Sequence, residues 1–70
     1  MLSKEKAIRH RLIDKDMSIK ELAEINFLTF NHVSQIIKGN INTSMRTAKL
    51  IAQSLDVEVE DVFTPSKQTN

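Results

Sequence analysis

The sequence predicts an all-α fold, a compact bundle of five helices, and three observations carry that expectation. One Gly and one Pro in 70 residues are too few for the many turns of an all-β chain. Apolar residues recur at the three- and four-residue spacing of a helix face in successive segments. Ser or Thr stands ahead of those segments, where a hydroxyl can cap free backbone amides. With 40% hydrophobic and 27% charged residues, the chain has room for one domain. Its core must be thin, because a chain of this size buries only about 60% of its unfolded surface.

Ala7, Ile8, Leu12 and Ile13 put apolar groups on one side of a first helix over residues 3–14, with Ser3 as N-cap. Ser18-Ile19-Lys20-Glu21 is an S-x-x-E capping box that starts a short second helix, with Leu22, Ala23 and Ile25 available for its inner face. Asn26 interrupts that helix and Thr29 caps the third, in which Val33, Ile36 and Ile37 face inward. Gly39 stops it as a left-handed residue would. After the loop Asn40-Ile41-Asn42, Thr43 or Ser44 caps a fourth helix carrying Met45, Ala48, Ile51, Ala52 and Leu55 on one face. Asp56 ends it, since Asp tolerates left-handed geometry. Val57-Glu58-Val59-Glu60 alternates like a strand, but Asp61-Val62-Phe63 breaks the alternation, and a short fifth helix over residues 59–63 is expected. The expected core is Ile8, Leu12, Leu22, Ala23, Val33, Ile36, Met45, Ile51, Leu55 and Phe63, within a domain over residues 1–63. Residues 64–70 read as a flexible polar tail.

Composition excludes several function classes. There is no cysteine, so thiolate metal sites, disulfides and cysteine nucleophiles fall away, and the usage fits a reducing cytoplasm. No apolar run approaches the ~20 residues needed to span a bilayer, and residues 1–10 lack the apolar stretch of a signal peptide. His10 and His32 are the only histidines, no close-spaced metal motif or Gly-rich phosphate loop exists, and no cofactor is implied. A non-enzyme is expected. Charge is unevenly spread. Residues 1–50 carry nine Lys/Arg against five Asp/Glu, giving +4, while residues 51–70 carry Lys67 against four acids, giving −3. A basic body with an acidic end suits a polyanion on one side only.

The centre of the chain is two short, separately capped helices joined by about four residues, the layout of a helix-turn-helix. Ala23 supplies the small side chain needed where two helices cross steeply, and Leu22 and Val33 can lock the pair into the core. The chain closely resembles the Cro and phage-repressor helix-turn-helix family, also called the XRE family. The likeness rests on Glu21-Leu22-Ala23-Glu24, Leu28-Thr29, Val33-Ser34-Gln35-Ile36, Gly39, Ser44, Ile51-Ala52, Leu55, Val57 and Asp61-Val62-Phe63. It implies a lambda-repressor-like DNA-binding domain that binds duplex DNA sequence-specifically, usually as a dimer, and controls transcription. Three departures from the family's pattern stand out. Phe27 stands where the turn commonly has Gly, so either Phe27 takes a positive φ or Asn26 absorbs it. Ile19 replaces a phosphate-touching Gln. Leu12 and Ile37 replace an Arg–Glu pair, which avoids the desolvation cost of a buried ion pair.

In a helix-turn-helix, residues 29–38 form the recognition helix. Phe30, Asn31, Ser34 and Gln35 are then the candidate base contacts, since Asn and Gln can bond bidentately to adenine in the major groove. Phe30 meets a thymine methyl or packs back on the second helix. Candidate backbone contacts are Ser18, Thr29, His32, Lys38, Asn40, Asn42, Thr43, Ser44 and Arg46, a polar, cationic set without acids near helix N-termini that favour phosphate. A homodimer is expected through Leu55, Val57, Val59 and Phe63, with Leu50 also in excess of what one thin core needs. The expected function is a cytoplasmic, dimeric, Cro-like repressor from a phage or other mobile element, or its bacterial host, occupying a palindromic operator. Two other readings stay open: an antitoxin-type module that also binds a toxin, and a protein-interaction domain that antagonises another regulator.

Overall fold

The computed structural model describes residues 1–64; the remaining polar residues, 65–70, lie outside the described residues. The order is β1 (Leu2–Ser3), α1 (Glu5–Asp14), α2 (Ile19–Ile25), α3 (Phe30–Lys38), α4 (Met45–Ser54), α5 (Val59–Val62) and β2 (Phe63–Thr64). The five expected helices are present, and the two-residue strands add a small antiparallel pair, Leu2 opposite Thr64 and Ser3 opposite Phe63. Thr64, placed in the tail by the sequence reading, is therefore paired backbone.

That strand pair corrects the start of α1. Ser3 is not its N-cap; Lys4 occupies that place without a side-chain cap. The Ser3 hydroxyl instead donates to the Ile37 carbonyl at 2.6 Å, satisfying one of the carbonyls that a helix end leaves without partners. Ser3 thus serves the C-terminus of α3 rather than the N-terminus of α1.

The other N-termini follow local chemistry. Ser18 accepts from the Glu21 amide at 3.0 Å while the Glu21 carboxylate accepts from the Ser18 amide at 2.9 Å. Thr29 accepts from the His32 amide, and Ser44 from the Thr47 amide.

All four longer helices close in the same way. A residue with positive φ follows the last turn: Asp16 (53°), Phe27 (58°), Gly39 (79°) and Asp56 (59°). Its amide bonds three residues back, and the next amide bonds five residues back: Met17 to Leu12, Leu28 to Ala23, Asn40 to Gln35 and Val57 to Ala52. This is the Schellman arrangement, which satisfies two terminal carbonyls at once. Phe27, rather than Asn26, takes the left-handed geometry of the turn. Asn26 is freed to donate through Nδ2 to the Leu22 carbonyl (2.9 Å) and the Ser54 hydroxyl (3.0 Å), tying α2 to α4. Phe27 is 96% exposed, so it bears backbone strain without compensating burial. Phe27→Gly is expected to raise stability by about 0.5–1 kcal/mol, the relief of strain exceeding the added freedom of the unfolded chain. A urea midpoint that fell in this variant would contradict the assignment.

The core gathers Ile8, Leu12, Leu22, Ala23, Val33, Ile36, Ile37, Ala48, Ile51, Ala52, Leu55, Val62 and Phe63. Nine of the ten expected core residues are there; Met45 is not, remaining 52% exposed at the first turn of α4. Ile13 and Ile25, assigned to inner faces, are 76% and 52% exposed, because the first and second helices each turn only a narrow stripe inward. Leu12 and Ile37 are both buried in this cluster, filling with apolar groups the places where some family members pair two charges.

α1 also holds the end of α4. Arg11 donates to the Leu55 carbonyl from Nε and Nη2 at 3.2 and 3.0 Å, and the Lys15 ammonium pairs with the Asp56 carboxylate. The hydrogen bond from Lys15, with its positive charge, holds the Asp56 carboxyl below its ordinary value of 3.8. A carboxyl lowered by folding adds stability that is fully present above its unfolded pKa and is lost as pH falls through its folded one. Acid titration of the unfolding free energy should therefore be shallower below pH ~4 for Asp56→Asn than for the parent chain. Equal acid slopes would remove Asp56 from the account.

Candidate nucleic-acid interface

α3 carries the candidate reading surface, and its inner face fixes which residues lie outside. Val33, Ile36 and Ile37 are buried. Three- and four-residue spacing then sets Asn31, Ser34, Gln35 and Lys38 on the opposite side. Asn31 and Lys38 are exposed, and Ser34 and Gln35 are half-buried. Phe30 is 56% exposed, so more than half of it is open to solvent. His32 is exposed. The Thr29 hydroxyl accepts from the His32 amide at 3.0 Å and keeps its own proton for an outside acceptor.

The loop after α3 brings a second polar group to that surface. Asn40 donates from Nδ2 to Gln35 Oε1 at 2.7 Å. Asn42, Ser44 and Arg46 are exposed on the approach to α4 and on its first turn. Among the described residues neither Lys38 nor Arg46 is in an ion pair; the three present join Arg9 to Glu5, Arg11 to Asp14 and Lys15 to Asp56. No carboxylate occurs between Glu24 and Asp56, while Lys38, Arg46 and Lys49 supply cations there. Short helix termini, a polar outer face and unpaired cations thus share one stretch of chain from which anionic groups are absent.

A family model of the Cro/C1-type HTH DNA-binding domain matches residues 7–68. The chain belongs to this family. Among curated proteins and solved structures there is no match. The Cro/C1-type domain is a DNA-binding module of transcription regulators, and α2 and α3 with the turn between them are its helix-turn-helix. No helix among the described residues is long and apolar enough to cross a membrane.

Within this Cro/C1-type domain several expected site residues are placed otherwise than the sequence suggests. Thr43 is only 5% exposed. Its amide donates to the Met1 carbonyl at 2.7 Å and its carbonyl accepts from the Met1 amino group at 2.6 Å. Pairing with the N-terminal segment draws the side chain inward. Ser18 stands at the N-cap of α2, its hydroxyl engaged by the capping box, beside the Asp16 and Glu21 carboxylates that line the same surface recess. Ser44 is exposed, but its hydroxyl donates to Thr47 Oγ1 at 3.2 Å as well as capping α4.

The expected dimer residues divide. Leu55 and Phe63 are wholly buried; the thin core consumes them, and they cannot face a second molecule. Val57 and Val59 are half-buried and line a groove between α4 and α5. One end of it, about 390 Å³, is bounded by Met1, Met45, Lys49, Glu58, Val59 and Glu60, and the other by Lys49, Ala52, Gln53, Val57, Glu58 and Val59. Met45 and Lys49 went unrecognised in the sequence as surface features. Met45 fits the α4 periodicity, and only its place at the first position of the helix hints that it projects beyond the core.

Proposed function

We propose that the protein is an operator-binding repressor that acts as a dimer, with α3 in the major groove of duplex DNA. Asn31 and Gln35, flanked by Phe30 and Ser34, meet base edges. Thr29, His32, Lys38, Asn40, Asn42, Ser44 and Arg46 meet the sugar–phosphate walls. The observation that carries this reading is the carboxylate-free stretch from Ile25 to Leu55, which presents a polar helix face with Lys38 at its C-terminal end and Arg46 beyond it. Phosphate contacts position such a helix, and groups along its outer face can reach base edges. Repression follows by occlusion, since a domain bound across a promoter blocks polymerase.

A second copy of the chain is the proposed partner along the groove between α4 and α5. Met45, Val57 and Val59 offer apolar surface there, and Lys49 lies with Glu58 and Glu60 around it. In a twofold contact each patch meets its own copy, so the Lys49 of each molecule can pair with acids of the other. The two recognition helices then address half-sites about 34 Å apart, one helical turn.

Selection of bound sequences from random duplex DNA tests the reading directly. The expected result is a short palindrome protected by two chains per duplex. An unenriched pool would refute DNA recognition. Enrichment of a single asymmetric half-site bound by one chain would refute the dimer alone.

A further inference from the structure

Of the four Schellman caps, three place apolar residues at the paired positions: Met17 with Leu12, Leu28 with Ala23, and Val57 with Ala52. Met17, Leu28 and Val57 all pack against the core, as the hydrophobic contact of this cap ordinarily requires. The cap of α3 is different. Its paired positions are Asn40 and Gln35, joined by the Asn40 amide to the Gln35 carbonyl at 3.1 Å and by Asn40 Nδ2 to Gln35 Oε1 at 2.7 Å. A contact that elsewhere fastens a helix end to the core is here a polar one, on the outer face of the helix.

We infer that Asn40 is a positioning residue that fixes the orientation of the Gln35 amide and thereby the base Gln35 reads. The inference rests on the proposal that Gln35 meets a base edge. A free Gln reads adenine by donating to N7 and accepting from the 6-amino group. With Oε1 turned to the Asn40 donor, the Gln35 side chain presents its Nε2 hydrogens outward. It then acts as a donor, matched to the adjacent N7 and O6 acceptors of guanine rather than to the mixed edge of adenine. Gly39 makes this possible. Its left-handed φ of 79° reverses the chain so that Asn40 returns alongside Gln35.

The test is affinity for the selected operator and its single-base variants, measured for the parent chain, Gln35→Ala, Asn40→Ala and Asn40→Asp at one salt concentration. The parent should prefer guanine at the Gln35 position by roughly tenfold, within the range of a good base contact. Asn40→Ala should erase most of that preference. Asn40→Asp supplies an acceptor in place of a donor, so the Gln35 amide turns over and preference moves to adenine or cytosine, which present amino groups. Its added negative charge lowers affinity for every operator alike and leaves the ratio between them readable. A phosphate contact alone, without the positioning role, would weaken all operators equally in the alanine variant and overturn the inference. If Gln35→Ala relaxes one position and both Asn40 variants keep the parent preference, the positioning role is wrong and the base-reading role stands. If Gln35→Ala relaxes no position, both fall.

Discussion

Phe63→Ala is expected to leave little folded protein at room temperature. Phe63 is the largest fully buried side chain of the domain, and removing a buried phenyl ring costs about 3–5 kcal/mol in lost transfer free energy and residual cavity. A single core in a chain this short supplies on the order of 3–5 kcal/mol of net stability. The variant therefore sits near or below its folding threshold. Met45→Ala, at a half-exposed position, should stay within about 0.5 kcal/mol of the parent. Thermal unfolding followed by circular dichroism separates the two. Normal melting of Phe63→Ala would put the ring at a surface and reopen it as a dimer contact.

Asn31→Ala should fold normally and lose about 1–3 kcal/mol of binding, roughly 5- to 150-fold, on the preferred operator. The loss should be confined to one base-pair position, because Asn31 is exposed on the first turn of α3, where a recognition helix enters the groove. Arg46→Ala is the contrast. Removing an exposed, unpaired cation proposed to meet phosphate should weaken every sequence alike and reduce the slope of log affinity against log salt by about one charge. Affinity across single-base operator variants at several salt concentrations distinguishes the two patterns. A uniform loss for Asn31→Ala would mean that α3 does not read bases.

The helices were legible in the sequence because their signals are local. Ser18, Thr29 and Ser44 announce three N-termini, and apolar spacing orients α3 and α4. Asp56 and Gly39 mark left-handed caps. The sequence also marked the outer side of α3, since Val33, Ile36 and Ile37 are the residues it buries. What escaped depends on partners far along the chain. Ser3 looks like an N-cap until Ile37, 34 residues away, claims its hydroxyl. Thr43 looks like a phosphate ligand until Met1 pairs with its backbone. Leu55 and Phe63 read both as core and as dimer contacts, because periodicity marks apolar residues without saying which of them a thin core absorbs completely. Phe27 was narrowed to two conformations of the turn, and the Schellman bonds at Leu28 and Phe27 decide between them.

The strand pair of β1 and β2 bears on the order in which the molecule assembles. Its partners are 62 positions apart, whereas α2 and α3 form one hairpin of adjacent helices. Contacts of long sequence separation require the entropy of loop closure before they return any stabilisation. The helix hairpin can therefore form early, and the joining of the two ends comes late. Amides of the strand pair should exchange with solvent through local opening before those of α4. Because Ser3 also holds the Ile37 carbonyl, each such opening frees that carbonyl in the last turn of α3. Late closure at the chain ends and the exposure of a carbonyl at the C-terminal end of α3 are thus one event.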